Sequence, residues 1–292
     1  MILIKIRAKV RWLGGSVPKW LGGKVERPVG TWGLGDLERG DQQISKSSHQ
    51  QINPMSNPYF RFKQFTVFHD KCAMKVGTDG VLLGAWVSVD KAVDVLDVGT
   101  GTGLIALMVA QRNPLARIVA IDVDEYAVAQ ATENVENSPF ADRIAVELWD
   151  FRQFVQNRPE CFDLIVCNPP YFSDSLLPPD KARATARHSV SLTLDELLFS
   201  ARSCLRDRGV LSLILPYDKK DELDRLCEKH AFYMKRKTIV YPLPDSNPKR
   251  LLIELTVQLP GYSETSSLII ENSRHRYTKD FSEMVSNFYI HL

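Results

Sequence analysis

The chain has 292 residues, 44% of them hydrophobic and 25% charged, with a formal net charge of +2. This composition belongs to an ordinary globular protein and excludes collagenous, coiled-coil and wholly disordered chains. No apolar run reaches the roughly 18 to 20 residues of a membrane span, and Lys5 and Arg7 interrupt the first apolar stretch too early for a signal-peptide core, which predicts a cytoplasmic protein with no membrane partner.

Residues 1–55 hold nine Lys/Arg against four Asp/Glu, eight of the 16 glycines and three of the five tryptophans. They show no sustained period after Val10, so this segment is expected to be a basic, disordered extension, with one domain over 56–292. Charge is uneven within that domain. Residues 56–180 carry 10 basic and 17 acidic side chains, and 181–292 carry 18 and 14, which places a phosphate-attracting surface in the C-terminal half. The five cysteines (Cys72, Cys161, Cys167, Cys204, Cys227) form no CxxC pair or Cys/His cluster, which predicts reduced thiols and no metal.

From Asn57 short apolar runs alternate with helix-like stretches, the pattern of a βαβ sheet. After an opening segment over 60–86, strands are predicted at 93–98, 117–122, 144–148, 162–167 and 210–215. Helices are predicted at 104–112, 125–137, 194–205 and 219–230. Two more strands, 237–241 and 251–258, flank a turn rich in proline (Pro242, Pro244, Pro248) and read as a hairpin at the sheet edge.

The loop Asp97-Val98-Gly99-Thr100-Gly101-Thr102-Gly103 follows a predicted strand and opens a predicted helix. Glycines there let the backbone turn tightly and approach a ligand, and the helix N-terminus offers unpaired N–H donors. Asp122 ends the next strand, 21 residues past Gly101, where a carboxylate can accept both hydroxyl protons of a ribose. Loop and acid together indicate an adenosine-containing cofactor. Gly101 to Ala106 also satisfies the G-x-G-x-x-A fingerprint of nicotinamide dinucleotides, so a hydride-transferring oxidoreductase stays open at this point. Asp97 ahead of the loop and Gly103 at its end suit S-adenosylmethionine, whose ammonium calls for a carboxylate and which has no pyrophosphate to cradle. Asp150, after the third strand, is placed to accept an adenine amine.

Asn168-Pro169-Pro170-Tyr171-Phe172 follows the apolar strand 162–167. An exocyclic or amide nitrogen is a poor nucleophile because its lone pair is delocalised, so a site that methylates it must hold it planar and accept its protons. The Asn168 side-chain oxygen and the Pro169 carbonyl supply two acceptors, and the prolines hold the backbone that aims them. Tyr171 can stack on a flat target flipped into the pocket.

The set Asp97 to Gly103, Asp122, Asp150 and Asn168 to Tyr171 resembles the class I S-adenosylmethionine-dependent amino-group methyltransferases. More narrowly, Phe65 to His69, Met74 to Trp86, Ala186-Arg187-His188 and Pro248-Lys249-Arg250 resemble the bacterial tRNA(Val) adenine-N6 methyltransferases that act beside the anticodon. The resemblance runs from about Pro58 to His291 and leaves out residues 1–55. It implies an α/β Rossmann-like fold, with a mostly parallel seven-stranded sheet whose last strand is antiparallel and helices on both faces. It also implies roles for Lys75, Thr78 and Asp79 near the methionine end of the cofactor, and tRNA as the partner of a monomeric enzyme.

Enzymes that methylate DNA adenine, ribosomal RNA guanine or adenine, or protein glutamine share the Asn-Pro-Pro-Tyr pattern, since all present a planar nitrogen. The residues after the motif leave little room for a separate DNA-recognition domain. Candidate RNA contacts are Lys181, Arg183, Arg187 and His188, the cluster Lys235-Arg236-Lys237, and Lys249 and Arg250, whose charges would attract phosphates. Neither His69 nor His188 is assigned as a base. A non-catalytic RNA-binding protein is the reading from a different class.

Overall fold

Strands separated by helical crossovers of this length pair in parallel, because a parallel return needs a connection long enough to cross the sheet. The computed structural model describes residues 57–72, 75–169 and 192–291, and the basic Gly-rich extension expected over 1–55 lies outside them. An antiparallel pair, β1 (Tyr59–Arg61) and β2 (Thr66–Phe68), leads into helix α1 (Thr78–Trp86). Then follow β3 (Asp94–Val98), α2 (Leu104–Arg112), β4 (Arg117–Asp122), α3 (Glu125–Glu136) and β5 (Ile144–Leu148). The next elements are α4 (Phe151–Phe154), β6 (Phe162–Cys167), α5 (Leu194–Cys204), β7 (Leu205–Pro216), α6 (Lys220–His230), β8 (Tyr233–Tyr241) and β9 (Arg250–Thr256). Strand β10 (Glu264–Ile269), a hairpin of β11 (Glu271–Ser273) and β12 (Arg276–Tyr277), and α7 (Lys279–Val285) complete the described chain.

The main sheet has the order β10-β8-β9-β7-β6-β3-β4-β5. All seven expected strands are in it, and β9, the last of the seven, runs antiparallel between β7 and β8. An eighth strand, β10, lies parallel to β8 at the edge. Its sequence ETSSLI buries only Leu268, so no hydrophobic alternation announced it. Strand β7 starts at Leu205, five residues before the expected 210, because Leu205 already pairs with Phe162 ahead of a register shift.

Successive side chains of a strand face opposite sides, and the sheet accordingly divides two cores. Val95 joins α1 and α2 on one side, whereas Leu96 and Val98 join α5 on the other. On the first side α1 and α2 pack closely because α1 presents glycines where α2 presents bulk. A Cβ on Gly80 would sit 3.0 Å from Leu104 Cδ2, and one on Gly84 would sit 2.6 Å from Met108 Sδ. The C-terminus of α1 is held from below by a buried network. Glu254, fully buried, accepts from Ser88 N–H (2.7 Å), Ser88 hydroxyl (3.1 Å) and Arg236 Nη2 (3.1 Å). The Arg236 guanidinium lies 3.7 Å from the centroid of the Trp86 ring, and Trp86 Nε1 donates to Thr238 Oγ1 at 2.9 Å.

The α1–α2 contact is directly testable. Gly84→Val inserts branched volume against Met108 and is expected to lower the unfolding free energy by about 1–3 kcal/mol. Gly84→Ala should cost less than valine, because it adds one methyl and gains about 1 kcal/mol in helix propensity, although its Cβ also meets Met108 Cβ at 3.0 Å. Urea titrations of both variants check this, and a valine variant as stable as the parent would contradict the packing argument.

Candidate active site

Register brings the motif residues to one edge of the sheet. Val98 is paired with Cys167 on one side and Ile121 on the other, so Gly99, Asn168 and Asp122 leave their strands at the same level. Leu148 is paired with Asp122, which puts Trp149 and Asp150 just beyond the end of β5. This is the carboxyl edge of the parallel strands, where open α/β sheets bind ligands.

Asp97 points into the core below that edge and is 1% exposed. Its Oδ2 accepts from Thr100 hydroxyl (2.7 Å) and Ala106 N–H (3.2 Å), tying the end of β3 to the first turn of α2. Its Oδ1 is buried with no hydrogen-bond partner among the described residues. Burial pushes its carboxyl up to about 7, against the two hydrogen bonds that favour the charged form. Gly99, Gly101 and Gly103 all have left-handed φ, +67°, +56° and +81°. A Cβ on Gly99 or Gly101 would meet nothing within 4 Å, so the loop faces open space, while one on Gly103 would touch Ala131 at 3.4 Å.

Asp122 Oδ2 accepts from Gly101 N–H at 2.9 Å and Oδ1 from Asp124 N–H at 3.0 Å. Burial raises its carboxyl above the usual range. Two backbone donors leave lone pairs on both oxygens for further donors. Asp150 is more heavily committed. It caps α4 through Arg152 N–H (2.8 Å) and holds the Arg152 guanidinium on both oxygens, which keeps its carboxyl below the ordinary value. Arg152 also reaches Glu196 on α5 at 3.1 Å.

Asn168 is half-buried and Pro169 buried directly after β6. Cys167 ahead of them is buried, and burial with Asp97 and Asp122 nearby drives its thiol well above the ordinary value, so it stays protonated. Thr78 and Asp79 open α1, and Lys75 lies exposed ahead of it. Asp79 Oδ2 accepts from Arg250 Nε at 2.8 Å, joining two residues that the sequence reading assigned to different ligands. Lys249 is exposed beside Arg250. Tyr171, Arg183, Arg187 and His188 lie outside the described residues.

Three groups of this edge escaped the sequence reading. Thr100 and Cys167 are unremarkable types within a motif, and Arg152 becomes a partner of Asp150 only through the one-turn helix α4, too short to give a period. His69, left unassigned, is buried with Nε2 2.8 Å from the Asn57 carbonyl oxygen, a structural setting.

Comparison with known proteins extends these observations. Residues 72–235 match the family model described as methyltransferase small domain. A tRNA1(Val) (adenine(37)-N6)-methyltransferase from Parabacteroides distasonis is 48% identical over 236 residues, covering 81% of this chain and 99% of that protein. Proteins of the same name from Bacteroides thetaiotaomicron and Yersinia enterocolitica are 49% and 43% identical, covering 82% and 79% of this chain and 100% and 92% of theirs. Among solved structures, a predicted O-methyltransferase from Agrobacterium tumefaciens superposes with a TM-score of 0.58 at 21% identity, over 72% of this chain and 96% of that one, a likeness of fold. With identity this high over some four fifths of its length, and relatives matched almost end to end, the chain belongs to the tRNA1(Val) (adenine(37)-N6)-methyltransferase family.

Proposed function

We propose that this protein transfers a methyl group from S-adenosylmethionine to the exocyclic N6 of adenine 37 in tRNA1(Val), acting as a monomer in the cytoplasm, where its tRNA substrate is found. The observation that carries the reading is the level register of Asn168 with Gly99: the proton acceptors for the target amine and the loop for the cofactor emerge from adjacent strands.

The residues fit the cofactor on two counts. The bare, buried Oδ1 of Asp97 suits an ammonium group, and the space over Gly99 and Gly101 admits a ligand that any side chain would obstruct. Asp122 keeps lone pairs for ribose hydroxyls, and Lys75, Thr78 and Asp79 border the methionine end. Asp150 accepts an adenine amine only by sharing oxygens already engaged by Arg152. S-adenosylmethionine supplies an electrophilic methyl on its sulfonium. The protein supplies orientation. The Asn168 side-chain oxygen and the Pro169 carbonyl accept the two amine protons and hold the nitrogen planar to the ring, with its lone pair turned toward the methyl. Tyr171 stacks on the base, and the protonated Cys167 thiol adds no competing nucleophile beside it. A nitrogen that gains positive charge becomes acidic, so no strong base is required. Arg183, Arg187, His188, Lys249 and Arg250 contact the RNA, Arg250 while also holding Asp79.

Replacing Asn168 by Ala is expected to cut kcat for tRNA methylation by about 100- to 1000-fold, the scale of losing one preorganised polar group, with cofactor affinity preserved. Transfer of labelled methyl to tRNA, followed by nucleoside digestion, tests both reaction and role. Near-parental turnover would remove Asn168 from the mechanism, and label in another nucleoside would overturn the substrate.

Asp97 gives a pH test. Its folded value, about 7, lies above the ordinary carboxyl value, so the stability linked to its protonation is full below about pH 4 and is lost as the pH rises through 7. Asp97→Asn cannot titrate. The variant should therefore gain on the parent between pH 5 and pH 8, by a few kcal/mol at most, while binding S-adenosylmethionine more weakly. Urea unfolding at the two pH values reads this, and a stability difference independent of pH would show that Asp97 is already ionised across the range.

A further inference from the structure

The β11–β12 hairpin stands on the same rim of the sheet as the site. Strands β8 and β10 run parallel to β7, so Ile269, the last residue of β10, reaches the edge at which Val98 and Cys167 end their strands. The base of the hairpin is clamped there. Ile270 N–H donates to the Tyr241 carbonyl (2.9 Å) and Glu271 N–H to the Pro242 carbonyl (3.0 Å). Thr278 closes the other strand, its N–H donating to the Ile270 carbonyl (2.9 Å) and its hydroxyl to that of Ile269 (2.6 Å). The Tyr277 ring rests on buried Phe281 with centroids 4.7 Å apart.

This anchored element ends in Arg274-His275-Arg276, with His275 in the left-handed region at φ +65°. Both arginines are exposed, and among the described residues neither side chain has an ion pair or hydrogen bond. Glu271 Oε2 accepts from His275 N–H (3.3 Å) and Glu283 pairs with Lys279 (3.6 Å), so neither carboxylate forms an ion pair with these arginines. Two guanidinium groups without an ion pair on a hydrogen-bonded support keep their planar donor forks free to match phosphate oxygens.

We propose that Arg274 and Arg276 grip the phosphate backbone of the tRNA at a point remote from the methylated base. The inference rests on the methyl-transfer reading above. Strand β10 lies four strands from β6, about 19 Å at the usual strand spacing. A base held at Asn168 therefore puts the hairpin several nucleotides away, against the stem that carries the loop, and the contact contributes affinity and register without touching the reacting atoms.

The test pairs two double variants. Arg274→Ala with Arg276→Ala should raise KM for tRNA roughly five- to twentyfold, with kcat changed less than about twofold, and should reduce the slope of log affinity against log salt by about 2. S-adenosylmethionine affinity and thermal midpoint should match the parent. Lys91→Ala with Arg208→Ala removes the same charge from the opposite rim, where β3 and β7 begin, and should leave the slope unchanged. An unchanged KM and slope in the hairpin variant, or equal losses in both variants, would overturn the proposal. If the parent methylates no tRNA, the methyl-transfer reading fails by itself, and the salt dependence of tRNA binding by the two variants still decides whether the hairpin holds RNA.

Discussion

The Asp97 carboxylate is the interaction on which the site depends. A carboxyl group sunk into the core at the end of β3 is costly unless it is hydrogen-bonded, and its partners are the Thr100 hydroxyl and the Ala106 amide. Satisfying them draws the first turn of α2 back over the end of the strand. The connecting loop must then reverse within a few residues, which it does through three glycines with left-handed φ. The same loop is stitched to β4, since the Gly99 and Thr100 amides donate to the Ile121 carbonyl and the Gly101 amide to Asp122. One buried group thus orients the helix, shapes the loop and aligns the second acid.

That arrangement leaves Asp97 incompletely satisfied, with one oxygen bare and its proton affinity raised. A fold optimised only for stability would place an asparagine or an apolar residue there. Retaining an acid whose ionisation costs folding energy is explicable where a cation is later brought to it, because the charge that destabilises the empty protein then favours binding. Cys167 lies under the same field but responds oppositely in function: the burial and carboxylates that raise its thiol keep it neutral beside the site.

The second organising constraint is strand direction. Because β3, β4, β6 and β7 are parallel, their connections to the following helices all emerge on one rim, and Gly99, Asp122, Asn168, Lys249, Arg250 and the β11–β12 hairpin share it. The antiparallel β9 brings its first residue, Arg250, to that rim, where it meets Asp79 at the start of α1. On this side Arg250 is held by an acid, whereas among the described residues Arg274 and Arg276 form no ion pair.

Sequence by itself determined the type of the seven principal strands and their order along the chain, the glycine loop with its acids, and the placement of Asn168 and Pro169 at the end of a strand. Those signals are local, carried by apolar periodicity, turn residues and side-chain type within a short window. Only the tertiary structure decided what depends on partners distant in the chain: that Asp150 is held by Arg152, that Asp79 meets Arg250 across 171 residues, and that Glu254 is buried under Ser88 and Arg236. The edge strand β10 was illegible because its side chains face water, and its existence follows from backbone pairing with β8. The rim shared by the hairpin and the site was illegible for the same physical reason: strand direction and register are settled by hydrogen bonds between chain segments, which no single segment encodes.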